Sequence, residues 1–157
     1  EEVSYQDKRT GLRNRNYLES RGDSLVNEGL PVSVIMLDCN YLKRTNDVRG
    51  HEMGDELLRR TASVLRRVAG GDCLPMRLGG DEFLLVCPHT DGESAHGLEQ
   101  DIRLGLAAVS DEVLTVSASI GVATVETAGN TLADVYRIAD HNMYQEKREV
   151  HAQDANH

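Results

Sequence analysis

Leu74-Pro-Met-Arg-Leu-Gly-Gly-Asp-Glu-Phe-Leu-Leu-Val-Cys87 consists of two short apolar runs joined by a tight turn. Leu74 to Leu78 and Phe83 to Cys87 are strand-length, and Gly79-Gly80 between them has the composition of a hairpin turn. Upstream, Val32-Ser-Val-Ile-Met-Leu-Asp38 is an almost continuous apolar run enriched in β-branched residues, which predicts a buried strand. Between the two, Leu57, Leu58, Thr61, Ala62, Leu65, Val68 and Ala69 recur at helical spacing, after Gly50-His51 and up to the stop at Gly70-Gly71. Downstream, a helix is expected over residues 93–109. Leu114, Val116, Ala118, Ile120 and Val122 then alternate with small or polar residues, the period of a half-buried strand. Leu132, Val135, Tyr136, Ala139 and Met143 line one face of a last helix, with Thr131 at its N-cap and Asp134 at N3. An opening helix is expected over residues 16–26.

Strand, helix, hairpin, helix, strand is the order of a split βαβ unit. The predicted fold class is α+β: a two-layer, ferredoxin-like mixed sheet with helices on its faces. If the third strand fills the gap beside the first, the two run antiparallel. Asp38, ending one strand, and Asp81 and Glu82, opening the other, then share an edge. Any one of these acids alone is an ordinary strand-end or hairpin residue. Two or three crowded together repel by about 4 kcal/mol at 4 Å and an effective dielectric of 20, so a proton or cation must intervene. Oxygen donors without a nearby His or Cys side chain favour Mg²⁺ or Mn²⁺ over zinc.

The bulk properties narrow the classes. A chain of 157 residues is one domain in size. Its net charge of −9 argues against binding a nucleic-acid polymer through a basic face, though not against a nucleotide whose phosphates are neutralised by metal. Cys39, Cys73 and Cys87 form no disulfide framework and no Cys-x-x-Cys motif, which fits a reduced, cytoplasmic setting. No apolar run approaches the ~20 residues of a membrane helix, so no membrane contact by this segment is expected. The chain opens on Glu1 rather than Met and is expected to be part of something longer, with the full-length protein free to carry a membrane anchor. No P-loop or Rossmann glycine pattern occurs. Arg59, Arg60, Arg66 and Arg67 are expected on a solvated helix face, and His51 as a structural residue at a helix start.

Arg77-Leu-Gly-Gly-Asp-Glu-Phe83 resembles, letter for letter, the signature of the GGDEF diguanylate cyclase family, and its companion motifs occur in order. Asp7-x-x-Thr-Gly-Leu-x-Asn-Arg15 resembles the family's opening motif. Asp38-x-x-x-x-Lys43-x-x-Asn46-Asp47-x-x-Gly50-His51-x-x-Gly54-Asp55 resembles its nucleotide-binding segment. Ser119-Ile-Gly121 and Ala139-Asp140-x-x-x-Tyr144-x-x-Lys147 resemble the closing ones. The resemblance implies a palm-like, nucleotidyl-cyclase-like domain over residues 1–150, followed by a polar C-terminal tail over 151–157.

The resemblance further implies a homodimer that condenses two GTP into cyclic di-GMP, with two Mg²⁺ or Mn²⁺ per active site and a sensory domain upstream. Asp38, Asp81 and the main-chain carbonyl of Cys39 would ligate the metals, and Glu82 would assist the ribose 3′-hydroxyl or hold the second ion. Asn46 and Asp55 would read the guanine edge, while Lys43 and Lys147 would contact phosphates. A carboxylate suits guanine because it accepts both N1–H and N2–H, whereas adenine offers no donor at N1. A catalytically silent domain that binds GTP or cyclic di-GMP is the alternative; the intact Gly79-Gly-Asp-Glu-Phe83 argues against it.

Several positions depart from the family pattern. Arg9 stands where the opening motif usually has Leu, Asn40 where a second acid is common, and Arg49 and Tyr41-Leu42 where aromatics are usual. Val150-His151 replaces a frequent Gly-Arg. The Arg-x-x-Asp that often precedes the signature and grips product is missing, since Gly70 and Cys73 occupy its positions. Shifting by one residue supplies Asp72 but pairs it with Ala69, leaving Arg66 or Arg67 as possible substitutes from the preceding helix turn.

Overall fold

The computed structural model describes residues 3–155, which form four strands and five helices. In chain order these are α1 (Arg15–Leu25), β1 (Val32–Cys39), α2 (Leu42–Arg49), α3 (His51–Ala69), β2 (Leu74–Gly79), β3 (Glu82–Cys87), α4 (Gly92–Ala108), β4 (Ala118–Val125) and α5 (Leu132–Ala155). Side-chain caps mark the starts of α1, α4 and α5: Asn14 accepts from the Tyr17 N–H, Asp91 from Ser94, and Thr131 from Asp134.

The strand order is β2-β3-β1-β4, and every neighbouring pair is antiparallel. The expected mixed sheet is therefore an antiparallel one. Each helical crossover skips a position, so the strands it joins in parallel never become neighbours. Both faces are covered, which makes three layers rather than the expected two. One face packs Ile35, Leu37, Phe83 and Leu85 under α3 and α4; the other packs Val34, Met36, Leu84 and Val86 under α1 and α5. This explains the nearly unbroken apolar run of β1, which is buried on both sides.

Two further expectations change. The fourth strand begins at Ala118 rather than Leu114, because β1 ends at Cys39, the partner of Ala118, and leaves earlier residues no ladder to join. Leu114 and Val116 are still buried, so their alternation marked a real inward face. The tail expected over 151–157 is helical through residue 155, continuing α5, and its last two residues lie outside those described. Among the described residues, no helix is long and apolar enough to cross a membrane.

Helix α5 lies directly on β4. A Cβ built on Gly121 would stand 2.1 Å from the Ala139 carbonyl oxygen and 2.2 Å from the Met143 nitrogen. The Ser119-Ile-Gly121 motif thus lets a helix backbone rest on a strand, and that contact carries Lys147 to the sheet edge.

Candidate active site

The topology brings the three predicted acids to one edge. Asp38 is the cross-strand partner of Glu82, and the Cys39 N–H donates to the Asp81 carbonyl at 2.9 Å. The two-residue loop Gly80-Asp81 between β2 and β3 is braced by Arg77, whose guanidinium donates to the Gly80 carbonyl at 2.7 and 3.2 Å and to Asp7 Oδ1 at 3.0 Å. The signature arginine therefore ties the opening motif to the acidic turn.

Asp38 is the electrostatic centre of this edge. Its Oδ1 is buried and has no well-aligned hydrogen-bond donor; the Lys147 ammonium, 3.1 Å away, meets it as a charge. Burial first, and then the Asp81 carboxyl beside it, push the Asp38 carboxyl up to about 6, against the pull of Lys147. The same ammonium lies 3.3 Å from the Cys39 carbonyl oxygen and 3.5 Å from Asn40 Oδ1. Cys39 offers only that carbonyl. Its thiol points into the core, in contact with Thr61, and burial pushes it up to about 12.

Oxygen donors of this kind suit a hard divalent ion. Among the described residues, no three His, Cys, Asp or Glu side chains stand close enough to cage an ion by themselves. Asp38, Asp81 and the Cys39 carbonyl could hold such an ion. Glu82, expected among its ligands, is held elsewhere: its Oε2 is 3.5 Å from Arg15 and 3.4 Å from the Tyr136 hydroxyl. A carboxylate takes the nearest counter-charge, and α1 supplies one. Burial first, then the charges of Glu82 and Asp140, push the Tyr136 hydroxyl up and keep it a donor.

Lys43, Arg44, Asp81, Lys147 and His151 line an open cleft of about 460 Å³ beside this edge. Its floor turns at Tyr41, an aromatic residue held at φ 69, after which α2 begins at Leu42. Such a backbone conformation costs roughly 1–3 kcal/mol, and the first turn of α2 that follows it lines the cleft through Leu42, Lys43 and Arg44. Asp154 accepts from the Tyr41 hydroxyl at 3.2 Å, so the end of α5 supports this turn. A larger cleft of about 730 Å³, bounded by Arg13, Arg66 and Gly70, is lined by no carboxylate.

Asn46 on α2 packs against the start of α3, next to Asp55. A Cβ on Gly54 would fall 1.7 Å from Asn46 Oδ1, so the amide lies over the residue before Asp55. Asp55 is not free: Arg9 Nη1 stands 3.0 Å from its Oδ1. Arg9, Arg15 and Tyr136 were not picked out from the sequence as site residues. The first two lie in the opening motif, but only packing shows which acids they reach.

An antiparallel βαββαβ sheet with acids beside a Gly-Gly turn, next to a cleft that lysine and arginine help to line, makes this an α+β domain with a charged site at one sheet edge. The family model described as "Diguanylate cyclase, GGDEF domain" matches residues 4–153, and the chain belongs to the GGDEF domain family. It is 36% identical over 156 residues to the response regulator PleD of Caulobacter vibrioides, covering 93% of this chain and 34% of that protein. To the diguanylate cyclase VdcA of Vibrio cholerae it is 30% identical over 148 residues, covering 90% of this chain and 43% of the relative. The chain thus spans between a third and a half of these relatives' length. Among solved structures, the GGDEF domain of DgcB from Caulobacter crescentus, in complex with c-di-GMP, superposes with a TM-score of 0.84 at 26% identity, over 95% of this chain and 93% of that one.

Proposed function

We propose that this domain is a diguanylate cyclase that condenses two GTP into cyclic di-GMP, with release of two pyrophosphates. The observation that carries the reading is the oxygen cradle of Asp38, Cys39 and Asn40 around the Lys147 ammonium, beside Asp81. It is an edge built to hold positive charge where a triphosphate can enter. Two divalent ions held by Asp38, Asp81 and the Cys39 carbonyl would offset charge on the attacking and leaving oxygens.

The protein's own groups divide the remaining work. Lys43, Lys147 and the first-turn amides of α2 hold the phosphates. Asn46 and Asp55 accept and orient the guanine edge. Glu82 takes the proton of the ribose 3′-hydroxyl. Each subunit holds one GTP, and the two-fold symmetry of the product calls for a C₂ pair in which each 3′-hydroxyl attacks the partner's α-phosphate. In the full-length protein, an upstream sensory domain would control that pairing.

Incubation with GTP and Mg²⁺, followed by mass spectrometry of the products, tests the reading. Cyclic di-GMP is expected, with specific activity rising as the enzyme is concentrated. A flat activity profile from a confirmed monomer would defeat the two-subunit mechanism. The engagement of Glu82 by Arg15 and Tyr136 favours a second reading, a silent domain that binds GTP or cyclic di-GMP. Nucleotide binding with no product would establish it.

A further inference from the structure

Arg9 sits on a loop pinned on both sides. Asp7 Oδ2 accepts from the Thr10 N–H at 2.9 Å and from its hydroxyl at 2.7 Å, and Asp7 Oδ1 accepts from Arg77. The Gly11 N–H donates to the Asp7 carbonyl at 2.8 Å, and the Thr10 carbonyl accepts from Arg66. The loop therefore presents Arg9 to α3 from a fixed position, and the guanidinium meets Asp55 at 3.0 Å. Resting on the reading of Asp55 as the guanine acceptor, we propose that Arg9 is an internal competitor for the base site. It holds Asp55 in the nucleotide-free protein and lowers affinity for guanine nucleotides.

The chemistry supports this directly. A guanidinium carries N–H donors side by side on one planar edge, and guanine does the same with N1–H and N2–H. Guanine's two donors call for both oxygens of the carboxylate, and Arg9 Nη1 already stands 3.0 Å from Oδ1. Guanine therefore gains its full contact with Asp55 against that existing charge. Adenine offers no donor at N1 and leaves the Arg9–Asp55 pair in place. The leucine common at this position in the family has no such donor. Both side chains are partly exposed, at 58% and 30%, so the pair is of the weak, screened kind. Its effect on an equilibrium constant is at most about fivefold.

Calorimetric titration of the wild-type chain and Arg9→Leu with non-hydrolysable GTP and ATP analogues reads this out. Arg9→Leu is expected to bind the GTP analogue about twofold to fivefold tighter at low salt, with a smaller gain at high salt and none for the ATP analogue. Arg9→Lys, which keeps the charge but not the planar edge, should fall between. An unchanged or weaker GTP-analogue affinity in Arg9→Leu would overturn the proposal, as would an equal gain for the ATP analogue. Asp55→Ala separates the layers. If it loses guanine affinity while Arg9→Leu gains none, only the competitor role fails. If it binds like wild type, the base-site reading fails and the proposal falls with it.

Discussion

Asp38 of β1 and Glu82 of β3 are direct cross-strand partners, yet their carboxylates answer to different cations. Lys147 of α5 meets Asp38 at 3.1 Å, and Arg15 of α1 meets Glu82 at 3.5 Å. Directly opposed like charges destabilise a sheet, and the two helices on that face each supply one neutralising group. Substrate and metal would then bind by exchanging charges already paired.

Glu82→Gln should lower single-turnover cyclisation about a hundredfold or more, the usual contribution of a positioned base, with binding of a GTP analogue kept within about twofold. Glu82 adjoins the acidic pair without contributing to it in this structure, so its part belongs to the reaction more than to ground-state affinity. A variant that cyclised GTP at the wild-type rate would remove Glu82 from the mechanism.

Cyclic di-GMP should not bind tightly at a second site when the GTP site is blocked by an analogue. Gly70 and Cys73 fill the positions of the usual Arg-x-x-Asp. Of the two arginines on the preceding helix turn, Arg66 already donates to the Thr10 carbonyl, and Arg67 reaches toward Gly105 of α4. Small residues cannot stand in for a charge-assisted fork. Tight binding that disappeared in Arg66→Ala or Arg67→Ala would show that a rearranged site exists.

Asp7 gives the acidic turn an acid-sensitive anchor. Burial opposes its charge, but hydrogen bonds from the Thr10 hydroxyl and N–H and the Arg77 guanidinium outweigh this and hold the carboxyl below 3.8. A depressed acid stabilises fully above its unfolded value and loses that contribution as pH falls through the folded one. Asp7→Asn should therefore destabilise the fold at pH 7, because it removes the charge partner of the buried Arg77 and leaves it only the Gly80 carbonyl. The gap from wild type should close below pH 3.8. Urea unfolding across this range measures it, and a gap that did not depend on pH would remove the ionic explanation.

Gly121→Ala should destabilise the fold by about 3 kcal/mol, because its methyl group meets the backbone of α5 rather than a movable side chain. Gly22→Ala is the control. There the closest atom, at 2.4 Å, is the Leu132 Cδ2, a side-chain end that can rotate away. Equal losses in the two variants, read by thermal unfolding, would contradict the close packing of α5 on β4.

The elements with strong apolar periodicity were legible before any coordinates. The expected β1, α3 and hairpin coincide with those observed to within a residue or two, since burial of one stripe or of alternating residues is a local pattern. Helix α2 was not, because none of its residues is buried and it carries no apolar period to read. The N-terminal edge of β4 also escaped. It depends on where β1 runs out of partners, and that boundary lies far away in sequence.

The sequence by itself determined the family, the acids at Asp38, Asp81 and Glu82, and, through the order of elements, that they share an edge. Chain connectivity and local patterning carry that much. Only the tertiary structure decided which charge each acid meets. Asp38 faces Lys147, Glu82 faces Arg15, and Asp55 faces Arg9. Ion pairs depend on distances of a few ångströms between residues brought together by packing, and no spacing along the chain encodes those distances.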